Sequence, residues 1–98
     1  MFGIAQNTVN ELNQIFNKYK NIEKVILYGS RAKGNYREGS DIDLTIIGDV
    51  EREDLMKIKD EIEDSYIPYL FDISIYNQLN SESLKEHINR VGKVFYKK

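Results

Sequence analysis

The sequence predicts an α/β (α+β) fold, a small mixed sheet flanked by helices, and three observations predict it. Residues 23–28, 41–47 and 69–76 are apolar runs or alternate apolar with polar side chains, the pattern of strands. Residues 9–20, residues 51–65 and the stretch after Asn80 repeat apolar side chains at three- and four-residue spacing, the pattern of helices. The helical stretch between the second and third strands is long enough for a right-handed crossover, which sets those two strands parallel. The first and second strands are joined by a shorter loop and are free to pair antiparallel, so the sheet is mixed.

Each element has its own signal. Val9, Leu12, Ile15, Phe16 and Tyr19 form the stripe of the first helix, and Thr8 with Glu11 reads as a capping box at its start. Glu23 to Tyr28 carries a continuous, β-branched apolar run typical of a buried strand, and Gly29 ends it. Residues 30–39 read as a loop with one helical turn after Ser30. From Asp41 the chain alternates: Asp41, Asp43 and Thr45 face one way, Ile42, Leu44 and Ile46 the other. The second helix carries Leu55, Ile58 and Ile62 on one stripe, with Asp49 or Glu51 at its N-terminus and a solvated acidic face. Pro68 breaks the chain before the third strand, where Asp72, Ser74 and Tyr76 share one face and Phe71, Ile73 and Ile75 the other. Asn80 or Ser81 caps a last helix bearing Leu84, Ile88 and Val91, Gly92 stops it, and Val94-Phe95-Tyr96 forms a short edge strand.

Composition narrows the function classes. The 98 residues fit one domain spanning 1–98, and a net charge of -2 argues against a dedicated nucleic-acid binder, which is normally basic. With no cysteine there is no disulfide framework and no thiolate zinc site. The N-terminus lacks the pattern of a signal peptide and no apolar run approaches the ~20 residues that span a membrane. The expected setting is a cytoplasmic one with no membrane.

The chemistry-bearing pattern is Gly29-Ser30, ten residues, then Asp41-Ile42-Asp43. Gly29 lets backbone approach a ligand, and Ser30 offers a hydroxyl and the start of a helical turn whose N–H groups suit a phosphate. Asp41 and Asp43 project from one face of a strand with roughly 7 Å between their Cα atoms. Asp72 joins them if the third strand lies beside the second. Converging carboxylates repel, and a cation or a retained proton relieves that repulsion. The donor set is all oxygen, which favours Mg²⁺ over zinc. Arg31 and Lys33 place positive charge beside the turn. Taken singly, Gly-Ser, Asp-x-Asp or a lone basic residue is ordinary surface; the combination is what carries the reading. His87 reads as a surface residue, Tyr19 and Tyr28 as core or sheet residues, and Tyr36 as either a base-stacking residue or a cover for its loop.

Gly29-Ser30-Arg31-Ala32-Lys33-Gly34 followed by Ser40-Asp41-Ile42-Asp43-Leu44 resembles the signature of the minimal nucleotidyltransferases of the DNA polymerase β-like superfamily. The later third aspartate matches Asp72 in Phe71-Asp72-Ile73, and Gly92-Lys93-Val94-Phe95-Tyr96 resembles the family's usual ending. The resemblance implies a polymerase β-like fold and transfer of a nucleoside monophosphate, with release of pyrophosphate. It implies that Gly29 and Ser30 grip the β- and γ-phosphates, with Arg31, Lys33 and Ser40 assisting in nucleotide binding. It implies that Asp41 and Asp43 hold two Mg²⁺ ions, and that Asp72 binds the second metal and helps deprotonate the attacking hydroxyl. Similar stand-alone domains are antitoxins that move AMP from ATP onto a tyrosine of a HEPN-domain toxin, a helical ribonuclease. A HEPN partner, ATP as substrate and two Mg²⁺ ions are therefore the expectations, with the oligomeric state left open. Two rivals stand beside them: a small-molecule nucleotidyltransferase of the aminoglycoside type, whose larger relatives cover the substrate with a second domain, and a non-catalytic antitoxin that works by contact alone.

Overall fold

The computed structural model describes residues 2–98. The order is α1 (Gln6–Asn17), β1 (Ile22–Tyr28), α2 (Ser30–Lys33), β2 (Ile42–Gly48), α3 (Arg52–Asp64), β3 (Phe71–Ile75), a 3₁₀ turn at Tyr76–Gln78, α4 (Glu82–Val91) and β4 (Lys93–Lys97). The sheet has four strands in the order β3-β2-β1-β4. β1 runs antiparallel to both β2 and β4, while β2 and β3 are parallel, as the crossover through α3 requires.

Alternation along the strands divides the sheet into two faces. Val25, Leu27, Ile42, Leu44, Ile46, Ile73 and Ile75 point into the main core, which α1 closes with Leu12 and Phe16 and α3 with Ile58 and Ile62. Phe16 meets Phe95 edge-on at 6.4 Å and Tyr96 at 5.7 Å. Both rings reach the same helix because the β1–β4 register slips between Val25 and Ile26, leaving Phe95 as the extra residue of an irregularity. On the opposite face, Ile26, Tyr28 and Ile88 form a smaller cluster under α4, joined by Leu84 and Val91.

The start of α1 departs from the sequence reading, while Gly92 ends α4 as that reading has it. α1 begins at Gln6 with Ala5 as its cap and no side-chain cap bond, so Thr8 and Glu11 make no capping box. Thr8 is instead buried, because the apolar stripe starts one turn earlier, beside Ile4. The face bearing Asp41, Asp43 and Thr45 is not open throughout: Thr45 is fully buried and accepts a 3.0 Å hydrogen bond from the Ser74 hydroxyl. Gly92 ends α4 without the left-handed turn common at helix ends, at φ -62° and ψ 144°. It is needed for space, since a Cβ there would strike the Ile88 carbonyl and lie 2.6 Å from Ile26 Cγ2.

The caps of the other helices fit their sequences. Glu51 precedes α3, and its N–H donates to Asp54 Oδ2 at 3.3 Å. Ser81 precedes α4, and its hydroxyl accepts from the Leu84 N–H at 3.2 Å. Ser81→Ala is expected to lower unfolding free energy by about 1 kcal/mol, read as a lower denaturation midpoint at unchanged m-value.

Candidate active site

The site lies at one end of the sheet, on the face that α4 covers only in part. Register places Tyr28 opposite Asp43 on β1 and β2, and Asp43 beside Asp72 on β2 and β3. Tyr28, Asp43 and Asp72 therefore form a row across three strands, all on the same face. Asp41 lies immediately before β2, exposed, and the Ile42 N–H between the two aspartates is tied to the Leu70 carbonyl at 2.8 Å. The parallel pairing of β2 and β3 thus delivers the third carboxylate to the first two.

Gly29 joins this row to the turn. Its φ of +77° lies in a region that glycine enters freely, and a Cβ at Gly29 would run into Asp43 Oδ2. The Asp43 carboxylate consequently rests against the backbone that begins α2. Ser30 follows, half-buried, as the first residue of that helical turn. The turn closes with Lys33 N–H on the Gly29 carbonyl at 3.1 Å and Gly34 N–H on the Ser30 carbonyl at 2.9 Å. The first N–H groups of such a turn have no acceptor within it and are available to an anion. The ten-residue connection to Asp41 has folded the two halves of the motif together.

Electrostatics mark Asp43 as the strained member. Burial pushes its pKa above the ordinary 3.8, Asp72 and then Asp41 push it further, and His87 opposes them. A group whose folded pKa is raised holds its proton longer in the native state, so its contribution to stability is lost as pH rises. In metal-free protein, the thermal midpoint of Asp43→Asn minus that of wild type is therefore expected to grow as pH rises from the ordinary aspartate value through the raised one. The Tyr28 phenol is 7% exposed, and its pKa is raised by burial first and then by Asp72 and Asp43, with Ser74 opposing. It stands as a neutral hydroxyl in the row.

The predicted residues divide into three groups. Asp41, Asp43, Asp72, Gly29 and Ser30 come together. Lys33 is exposed at the far end of the helical turn. Arg31 does not face the carboxylates: it is 3% exposed, its Nε and Nη2 donate to the Ser40 carbonyl at 3.2 and 2.9 Å, and its Nη1 donates to the Phe2 carbonyl at 3.0 Å. Three of its five N–H groups are thus directed to carbonyl oxygens within the protein. Tyr36 covers its loop, its ring 4.9 Å from the Arg31 guanidinium and against Gly3. Ser40 turns its carbonyl to Arg31 while its buried hydroxyl has no partner.

His87 is the residue the sequence reading missed. It is half-buried, on the stripe of α4 that faces the sheet, and meets the Tyr28 ring edge-on at 6.2 Å. The signal was present: His87 falls three residues after Leu84 and four before Val91, both part of the apolar stripe.

Among the described residues, no group of three His, Cys, Asp or Glu side chains is drawn tightly enough to form a metal cage. Mg²⁺ does not require one: it keeps several waters and commonly binds through one or two carboxylates plus substrate phosphates. An all-oxygen set whose central member is pushed toward protonation by its neighbours fits such an ion.

The family model for the polymerase beta nucleotidyltransferase domain matches residues 10–98. A candidate protein adenylyltransferase of Methanocaldococcus jannaschii is 51% identical over 41 residues, a match covering 41% of this chain and 41% of that relative. The fold is also that of a toxin–antitoxin crystal structure with AMP-PNP, at TM-score 0.71 and 16% identity, covering 94% of this chain and 73% of the other. It is shared with the complex of a tri-AMPylated Shewanella oneidensis HEPN toxin and its MNT antitoxin, at TM-score 0.68 and 14% identity, covering 95% and 72%.

Proposed function

Because the chain belongs to the polymerase beta nucleotidyltransferase family, we propose that residues 1–98 act as one nucleotidyltransferase unit that moves AMP from ATP onto a tyrosine hydroxyl of a HEPN-domain toxin and silences it. The observation that carries this reading is the contact of Asp43 with Gly29, in register with Asp72. It supports the reading because a turn suited to phosphate lies against carboxylates suited to a divalent cation.

In this reading Gly29 and Ser30 hold the β- and γ-phosphates on the N–H groups that open α2. Asp41, Asp43 and Asp72 would hold two Mg²⁺ ions, which supply Lewis-acid stabilisation of charge on the triphosphate. The acceptor oxygen bonds to the α-phosphorus as the bond to the bridging oxygen of pyrophosphate breaks. Asp72, exposed at the start of β3, takes the hydroxyl proton. AMP as the transferred group and a HEPN partner are favoured by likeness to an adenylyltransferase and to HEPN-bound antitoxins.

The test is transfer of label from α-labelled ATP to a co-expressed HEPN-domain protein, in the presence of Mg²⁺. The expected result is a labelled tyrosine with wild type and none with Asp41→Ala. Toxin inhibition that survives Asp41→Ala would replace transfer with simple contact.

A further inference from the structure

We propose that Arg31 is a positioning residue that couples nucleotide binding at the turn to metal binding at Asp41, an inference that rests on the site reading above. Its backbone directly follows Ser30, while its side chain grips the carbonyl of Ser40, the residue directly before Asp41. The two halves of the motif are thus connected in two ways. One is the loop of residues 31–40; the other is a single side chain that short-cuts it.

The grip is built to be rigid. Two N–H groups of one guanidinium converge on the Ser40 carbonyl, and a third donates to the Phe2 carbonyl. The planar cation lies between two rings, with Tyr36 at 4.9 Å and Tyr69 at 5.5 Å from its centre. Among the described residues the salt bridges are Lys18–Glu61 and Arg90–Glu86, so carbonyl oxygens and ring faces, rather than a carboxylate, compensate this buried charge. Tyr69 is itself fixed, its hydroxyl accepting from the Ala5 N–H at 3.2 Å. The clamp therefore draws on the N-terminal segment, the turn, the loop and the lead-in to β3. A shift of the turn when phosphate binds is transmitted to the peptide that carries Asp41, and a metal that draws in Asp41 pulls on the turn. Such coupling is reciprocal.

Lysine cannot reproduce this geometry, because its ammonium is a point charge without a planar fork. The experiment is calorimetric titration of the full chain with a non-hydrolysable ATP analogue, with and without Mg²⁺. In wild type, Mg²⁺ is expected to tighten binding of the analogue by about tenfold or more, and Arg31→Lys is expected to lose at least about fivefold of that enhancement. Far-UV circular dichroism checks that the variant is folded. If it is not, Tyr36→Ala decides, since it loosens the guanidinium from one half-exposed side and should lower the enhancement in the same direction. A folded variant with undiminished enhancement overturns the coupling role and leaves the site reading intact. A wild-type chain that binds no analogue with Mg²⁺ overturns the site reading, and the coupling with it.

Discussion

Asp43→Asn is expected to reduce nucleotidyl transfer by about a thousandfold or more while making the metal-free protein harder to unfold. The loss follows from its place: Asp43 is central in the Tyr28–Asp43–Asp72 row, and its carboxylate is the one that rests against the turn at Gly29. In the proposed role, removing it weakens the hold on the Mg²⁺ ions that would supply several kcal/mol of charge stabilisation on the triphosphate. The gain has the same origin. Burial and two neighbouring carboxylates disfavour the ionised form of Asp43, and asparagine removes that repulsion without changing shape. A gain of about 1 kcal/mol is the usual size for relieving a functional residue of this kind. It should appear as a thermal midpoint roughly 4–8 °C higher. Retained transfer, or a lower midpoint, would remove Asp43 from the role assigned to it.

Gly29→Ala should damage stability and activity together. The backbone at φ +77° disfavours any Cβ by about 1–2 kcal/mol, and this Cβ also meets Asp43 Oδ2. Displacing that carboxylate by about 1 Å is enough to cost about a hundredfold in rate. Gly34→Ala separates the two effects. Gly34 sits at φ +85° with open space around it, so alanine there carries the backbone term without the collision. Destabilisation in both variants, larger in Gly29→Ala, with transfer lost only in Gly29→Ala, is the expected pattern. Equal transfer in the two would show that contact with Asp43 has no part in the chemistry.

The strands and the carboxylate row were legible because period-two alternation assigns faces residue by residue. Asp43 and Asp72 could be placed on one face from Ile42-Leu44-Ile46 and Phe71-Ile73-Ile75 alone. What was not legible depends on contacts distant in sequence. Thr8 and Glu11 satisfy a local capping pattern, yet burial of Thr8 beside the core outweighs it. Arg31 stands beside the motif and looks like a phosphate ligand, but its partners include Phe2 and Tyr69, which no local pattern connects to it. His87 differs, because its helical spacing already placed it on the buried stripe.

The parallel pairing of β2 with β3 also bears on how the chain folds. β1 and β2 are close in sequence and can associate early, carrying Gly29, Ser30, Asp41 and Asp43 with them. Asp72 arrives only after α3 has closed a long loop, since paired residues such as Thr45 and Ser74 are 29 apart. Loop-closure entropy is therefore met before Asp72 adds its repulsion to that between Asp41 and Asp43. A chain that has paired only β1 with β2 holds two of the three aspartates, and the third joins them when the crossover is complete.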